Sequence, residues 1–275
     1  MKSILIPVDF SEYSKASVTY GVALAKRTGA ELFLLHVFDG PDDWNRIPVE
    51  SQQDFPQIES RMVEAEVKMD KLLEEKIFKG VKATGIVRPG IIQEQIQRFS
   101  KQYKADLIIM GAHGKGDSKR FFIGSQAQKI LRTAACPVFS VKKDFKPKAI
   151  KRIVFAADFI EDKASGFGSL VPFAKATKAQ IDIVFINTPA NFRDTMTMEK
   201  AMDRFVSAYP QLKFKKHIFN ALNVEEGILQ FATLCQAQVI AKITKNRQGK
   251  AGYDIGITES LLFNARLPVL SATVL

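Results

Sequence analysis

The sequence predicts an α/β chain of two tandem doubly wound domains, each a five-stranded parallel sheet with helices on both faces. Three observations carry this expectation. Runs such as LFLLHV (Leu32–Val37) and DLIIM (Asp106–Met110) are apolar on both faces of a strand, and only a sheet covered on both sides hides such strands. These runs alternate with stretches of helical periodicity in the order βαβαβαβαβ. The whole pattern then occurs twice within 275 residues, a length that by itself suggests about two domains at roughly 150 residues each.

Each element has a local reason. ILIPVDF (Ile4–Phe10) is a short apolar strand ending in Asp-Phe. Ser11 is placed to cap the helix that follows, and Gly29 to close it. LFLLHV is the second strand. After it comes a polar stretch, Asp39 to Gln57, with three prolines and the only tryptophan, Trp44. A loop that long in a compact domain is usually functional or disordered. Met69, Leu72 and Leu73 show helical spacing, as do Ala127, Ile130, Leu131 and Ala134 in the last helix of this half. Between these helices lie the strand-like VKATGIV (Val81–Val87) and ADLIIMG (Ala105–Gly111), and CPVFSV (Cys136–Val141) follows.

The second half repeats these runs. IVFAADF (Ile153–Phe159) and IDIVFI (Ile181–Ile186) match the first two strands at an offset of 149 residues. KFKKHIF (Lys213–Phe219) matches Val81–Val87 and AQVIAKI (Ala237–Ile243) matches Ala105–Gly111, both at 132, and LPVLSA (Leu267–Ala272) matches Cys136–Val141 at 131. A repeat of this length is a domain rather than a solenoid unit, so the expected domains are residues 1–143 and 150–275. The drop in offset locates an insertion of about 17 residues in the first half, and Asp39–Gln57 is the candidate.

Composition narrows the functional classes. Hydrophobic residues make up 46% and charged residues 25%, an ordinary globular balance. No apolar run approaches the roughly 20 residues that span a bilayer, and the N-terminal ILIPV is too short for the apolar core of a signal peptide. Cys136 and Cys235 are too few and too far apart for a disulfide framework or a paired metal motif, so the expected compartment is the cytoplasm. The net charge of +11 raises nucleic acid as a partner. However, residues 1–143 carry 22 basic and 17 acidic side chains and residues 144–275 carry 18 and 12, with no basic tail. A polyanion partner is therefore not expected.

In doubly wound sheets, ligands bind beyond the carboxyl ends of the strands, where strand order reverses. Three strand ends in the first half are informative: Pro7-Val8-Asp9, Val37, and Met110-Gly111-Ala112-His113-Gly114, which continues to Gly124-Ser125. Gly111 and Gly114 let backbone approach a ligand. Gly124-Ser125 opens a helix, whose free N–H groups and positive dipole end suit a phosphate. Lys115, Lys119 and Arg120 lie in the intervening loop and could offset its charge. Each residue also has a plain reading: Asp9 or Ser125 alone could cap a helix, and His36 reads as a core residue of an apolar strand.

The spacing Gly-x2-Gly-x9-Gly-Ser, at Gly111, Gly114, Gly124 and Ser125, resembles the ATP-binding signature of the universal stress protein family. ILIPVDFSEYSKASVTYGVALA, ADLIIMGAHG and GSQAQKILRTAACPVFSV resemble further segments of that family. The likeness is strong over Met1 to Lys143 and weaker over Ile150 to Leu275, so the chain looks like a tandem member with a Rossmann-like fold. The resemblance implies an ATP-binding, stress-response sensor or regulator, with Mg2+ accompanying the nucleotide. It places Pro7, Val8 and Asp9 near adenine and ribose, Val37 against adenine, and Met110, Gly111, Gly114, Gly124, Ser125 and Gln126 around ribose and phosphates. It also implies that the two last strands pair within the chain as a pseudo-dimer, Val138–Val141 against Val269–Val274, with further homodimerisation left open.

The second copy departs from the motif. At an offset of 132, Gly111 aligns with Ile243, Gly114 with Asn246 and Ser125 with Ile257, so only Gly256 and Asp158 keep their types. A β-branched residue at 243 is expected to crowd the phosphate path, and no ATP is expected there. No P-loop, GxGxxG, HExxH or GxSxG motif is present. His36, His113 and His217 are too dispersed for a metal cluster. No catalytic or metal-binding residue is legible, and the strongest enzymatic expectation is a slow ATPase.

Overall fold

The computed structural model describes residues 1–41, 44, 47–52, 54–112, 125–145, 149–159, 165–245 and 256–274. The first half runs β1 (Ser3–Pro7), α1 (Glu12–Thr28), β2 (Glu31–Phe38), α2 (Val49–Gln52), α3 (Pro56–Leu73), β3 (Ala83–Pro89), α4 (Ile92–Gln102), β4 (Leu107–Gly111), α5 (Ser125–Thr133) and β5 (Val138–Val141). The second runs β6 (Arg152–Ala156), α6 (Val171–Thr177), β7 (Gln180–Asn187), α7 (Thr195–Ser207), β8 (Lys213–Asn220), α8 (Val224–Leu234), β9 (Val239–Lys245), α9 (Ile257–Asn264) and β10 (Val269–Val274).

The described strands lie in one ten-stranded sheet, ordered β3-β2-β1-β4-β5-β10-β9-β6-β7-β8. Strand order reverses twice, between β1 and β4 and between β6 and β9, so the sheet has two switch points. Every strand pair is parallel except the central one, where β5 meets β10 antiparallel with Val138 opposite Ser271 and Ser140 opposite Val269. Strand residues alternate between two buried layers. Ile4, Ile6, Leu32 and Leu34 face α1 and α3, whereas Leu5, Leu35 and Ile108 face α4 and α5. The outer edges are β3 and β8, and β8 carries Lys213, Lys215 and Lys216, charges that discourage pairing with a further strand.

The ends of α1 obey the expected chemistry. The Ser11 hydroxyl accepts from the Ser14 N–H, and Gly29 closes α1 at φ +72°, its N–H bonded to the Ala25 carbonyl. The described residues of segment 39–57 make specific contacts. Trp44 is buried against Phe55, the Gln52 amide donates to the carbonyls of Trp44 and Ile47, and Arg61 covers the Phe38 ring and donates to the Asp39 carbonyl. Gly40 fits only because it lacks a side chain: a Cβ there would stand 2.7 Å from Pro89 Cβ.

The seam is packed as well as paired. Phe139 of β5 lies 4.7 Å from the Tyr20 ring of α1 and 5.1 Å from the Phe173 ring of α6, measured between centroids. The end of each half's last strand, or the residue after it, also reaches the final helix of the other half. The Thr273 hydroxyl donates to the Leu131 carbonyl at 2.8 Å, and the Lys142 ammonium donates to the Leu262 carbonyl.

Backbone geometry corrects the internal alignment in two places. Leu32 pairs with Ala83, and its equivalent Ile181 pairs with Phe214, so β3 and β8 match at 131 rather than 132. A one-residue slip would turn every side chain to the wrong face. In the last helices, the Ala134 N–H bonds to Ile130 and the Ala265 N–H bonds to Leu261, again an offset of 131. Gly256 therefore stands where Ser125 stands, and Gln128 is matched by Glu259.

Candidate functional site

The first switch point gathers most of the residues singled out in the sequence. β1 lies between β2 and β4, so Pro7 at the end of β1, Val37 near the end of β2 and Met110-Gly111 at the end of β4 occupy neighbouring carboxyl ends. Val8 extends the β1 ladder, its N–H donating to the Leu35 carbonyl at 2.8 Å. Asp9 follows, and its Oδ1 accepts from the Ser11 N–H at 3.0 Å. Ser11, not Asp9, caps α1. Beyond β4, the Ala112 N–H donates to Val141. Ser125 and Gln126 open α5. Gly114 and Gly124, with His113, Lys115, Lys119 and Arg120, lie outside the described residues.

This arrangement fits a phosphorylated ligand in three respects. Gly111 presents backbone without a side chain at the centre of the switch point. The first turn of α5 has N–H groups that no helical carbonyl can satisfy, a natural anion site. Asp9 supplies an acceptor for ligand hydroxyl or amino groups. A separate cleft of about 740 Å3 opens at the seam, lined by Tyr13, Lys142, Phe145, Phe263 and Arg266 among others. None of the candidate residues lines it.

The second switch point has the same strands and different contents. Ile243, at the place of Gly111, is buried in the layer with Phe155 and Ala272, on the opposite face from the Leu261 and Leu262 of α9. The expected crowding therefore does not lie over the start of α9. The described groups near the start of α9 are polar. One Glu259 oxygen accepts from the Gly256 N–H at 3.0 Å, capping the helix, and the other pairs with Arg132 of α5 across the seam. The Thr244 and Thr258 hydroxyls bond to each other at 2.9 Å. Lys242 takes the place of Met110 and donates to the Ala156 carbonyl at 3.1 Å. Burial pushes its ammonium down to about 8, against the opposing pull of Asp158.

A second polar cluster, not anticipated from the sequence, lies beneath α8. Asp182 on β7 is fully buried. It accepts from Arg152 Nε at 2.9 Å and Nη2 at 3.1 Å, and it contacts His217 Nε2 at 2.9 Å. Burial alone would raise its pKa, but the bonds from Arg152 and His217 hold it below the usual carboxylate range. The corresponding place in the first half holds an apolar stack, with the Phe33 and Tyr103 rings 4.0 Å apart. Among the described residues, no group of three His, Cys, Asp or Glu side chains could hold a metal ion. No described helix is long and apolar enough to cross a membrane.

Known proteins resemble this chain in both sequence and architecture. The model of the universal stress protein family matches residues 1–142. A universal stress protein of Methanocaldococcus jannaschii is 33% identical over 147 residues, covering 53% of this chain and 84% of the relative. One from Thermus aquaticus is 31% identical over 142 residues, covering 51% of this chain and 98% of the relative. The crystal structure of a universal stress protein from Archaeoglobus fulgidus matches 98% of both chains with a TM-score of 0.73 at 19% identity. A putative universal stress protein from Pseudomonas aeruginosa matches 99% of this chain and 93% of its own with a TM-score of 0.68 at 18% identity. The structural likeness speaks for the fold, including the two-half arrangement, and the sequence matches speak for kinship: this chain belongs to the universal stress protein family.

Proposed function

We propose that the protein is an ATP-binding stress-response sensor or regulator of the cytoplasm. Nucleotide occupies the domain of residues 1–143, and the domain of residues 150–275 is a diverged copy that takes no ATP. The observation that carries this reading is the meeting of Asp9, Val37, Met110-Gly111 and the start of α5 at one switch point. Adenine and ribose lie against Pro7, Val8, Asp9 and Val37. Ribose and phosphates lie along Met110, Gly111, Gly114, Gly124, Ser125 and Gln126. The triphosphate is accompanied by Mg2+, which supplies charge neutralisation. Titration calorimetry of the full chain with MgATP tests the reading: wild type binds, and Gly114→Val abolishes binding because a branched side chain replaces the backbone that approaches the ligand. A wild type without measurable ATP affinity removes the proposal.

Two other outcomes have their own signatures. Phosphate release above that of a Gly111/Gly124 double variant identifies a slow ATPase. The altered second switch point supports a scaffold or a different small ligand, and mass spectrometry of the natively purified protein distinguishes that case by what co-purifies.

A further inference from the structure

His36 was unremarkable in the sequence, and the structure gives it a specific task. Its Nδ1 lies 2.7 Å from the Val8 carbonyl oxygen. A carbonyl only accepts, so Nδ1 carries the proton. On the other side of Asp9, Phe10 sits at φ +60°, a conformation that bulky residues adopt only where surroundings hold them. The ring of Phe10 packs on the His36 imidazole, with centroids 4.7 Å apart. One side chain thus grips both neighbours of Asp9, through a hydrogen bond before it and a ring contact after it. With the Ser11 N–H on Oδ1, this fixes where the carboxylate stands.

The second half serves as an internal control. Phe185 occupies the place of His36, since β7 and β2 correspond at 149 residues, and it has no ring N–H to donate. There the ladder bond corresponding to Val8–Leu35 is longer, 3.3 Å from the Ala157 N–H to Val184. The ring of Phe159 packs on Phe155 and Phe205 instead. Asp158 keeps its type beside Lys242 without this clamp.

We infer that His36 is a positioning residue: its Nδ1–H, more than its ring, holds the Val8–Phe10 turn so that the Asp9 carboxylate meets the donor groups of a nucleoside. The inference rests on the nucleotide reading, and two measurements keep the two apart. In MgATP titrations, His36→Asn, whose amide can donate from the Nδ1 position, stays within about threefold of wild type, while His36→Gln and His36→Phe weaken binding about tenfold or more. His36→Phe binding as tightly as wild type would overturn the assignment, as would an equal loss in all three variants that follows their melting temperatures. The second measurement needs no ligand. Amide hydrogen exchange of the unliganded chain should accelerate over residues 8–11 in His36→Phe, remain near wild type in His36→Asn, and be unchanged in β4 and β5. Unaltered exchange at 8–11 in His36→Phe refutes the clamp whether or not ATP binds, whereas a wild type that fails to bind ATP refutes only the nucleotide reading.

Discussion

The two switch points are built from equivalent strands in the same order, yet the described residues around them differ in kind. Around β1 and β4 stand Asp9, held between Val8 and Phe10, and Gly111 without a side chain. Around β6 and β9 stand Lys242 on the Ala156 carbonyl, the Thr244–Thr258 pair, and Glu259 capping Gly256. Both halves fold, so neither set of residues is a requirement of folding. The backbone needs its helix starts and strand ends satisfied, and the second half satisfies them internally. The body of the sheet shows the same contrast, where Phe33 stacks on Tyr103 in one half and Asp182 binds Arg152 and His217 in the other.

The sharpest way to separate the halves is through this last pair. Asp182→Ala leaves the Arg152 guanidinium and His217 without their shared acceptor and should cost about 3 kcal/mol by denaturant unfolding. The cost should depend on pH. The folded carboxyl lies below its ordinary value of 3.8, so its contribution is complete above that pH and disappears as pH falls through the folded value. The difference between wild type and variant should therefore shrink below about pH 4. Phe33→Ala, at the matching position, should cost about 3 kcal/mol with no such dependence. A pH-independent Asp182→Ala penalty would show that the cluster acts only by packing.

Lys242→Met gives the second half the residue of the first. The lysine titrates near 8 when folded against 10.5 ordinarily, so at neutral pH folding has to place a charge in a poorly hydrated site. Replacement should stabilise the chain by about 2 kcal/mol at pH 7, after allowing for the lost bond to Ala156. The unfolded chain binds more protons between about pH 8 and 10.5, so wild-type stability rises across that window and the advantage of the variant fades. A constant difference in melting temperature from pH 7 to 10.5 would contradict this.

Gln128→Glu makes the reciprocal exchange, because Gln128 stands where Glu259 stands. A carboxylate in the first turn of α5 competes with a phosphate for the same N–H groups, and ATP affinity should fall about tenfold, or 1.4 kcal/mol, by calorimetry. Unchanged affinity would place the phosphates away from α5. The smallest effect is expected for Glu259→Gln, which weakens both the cap of α9 and the pair with Arg132. Since Arg132 is 56% exposed, solvent screening keeps the loss to about 1 kcal/mol. A loss of several kcal/mol would mean that the pair governs the whole seam.

The sequence made the repeat and the strand ends visible, because both are written in short-range patterns. Apolar runs such as LFLLHV announce buried strands, and Asp-Phe at the end of ILIPVDF and IVFAADF marks equivalent positions. Contacts between distant elements were not legible. His36 sits in an apolar run and looks like core until the Val8 carbonyl is found beside it. Asp182 reads as a lone acid in IDIVFI, since its partners lie 30 and 35 residues away. The offset of 131 at β8 and α9 differs by one residue from the alignment, and only hydrogen-bond register reveals it. Trp44 looks like part of a polar loop until it is found buried against Phe55.

Joining the two halves in one chain has a consequence beyond stability. A symmetric homodimer must use the same residue in both copies of every two-fold contact. Here one of the paired contacts is a threonine hydroxyl on Leu131 and the other a lysine ammonium on Leu262. Tethering keeps the halves at an effective concentration on the order of millimolar and in fixed one-to-one proportion. A substitution in one half is therefore never imposed on its counterpart. That independence lets the two switch points of a single chain diverge, as Gly111 and Ile243 have done.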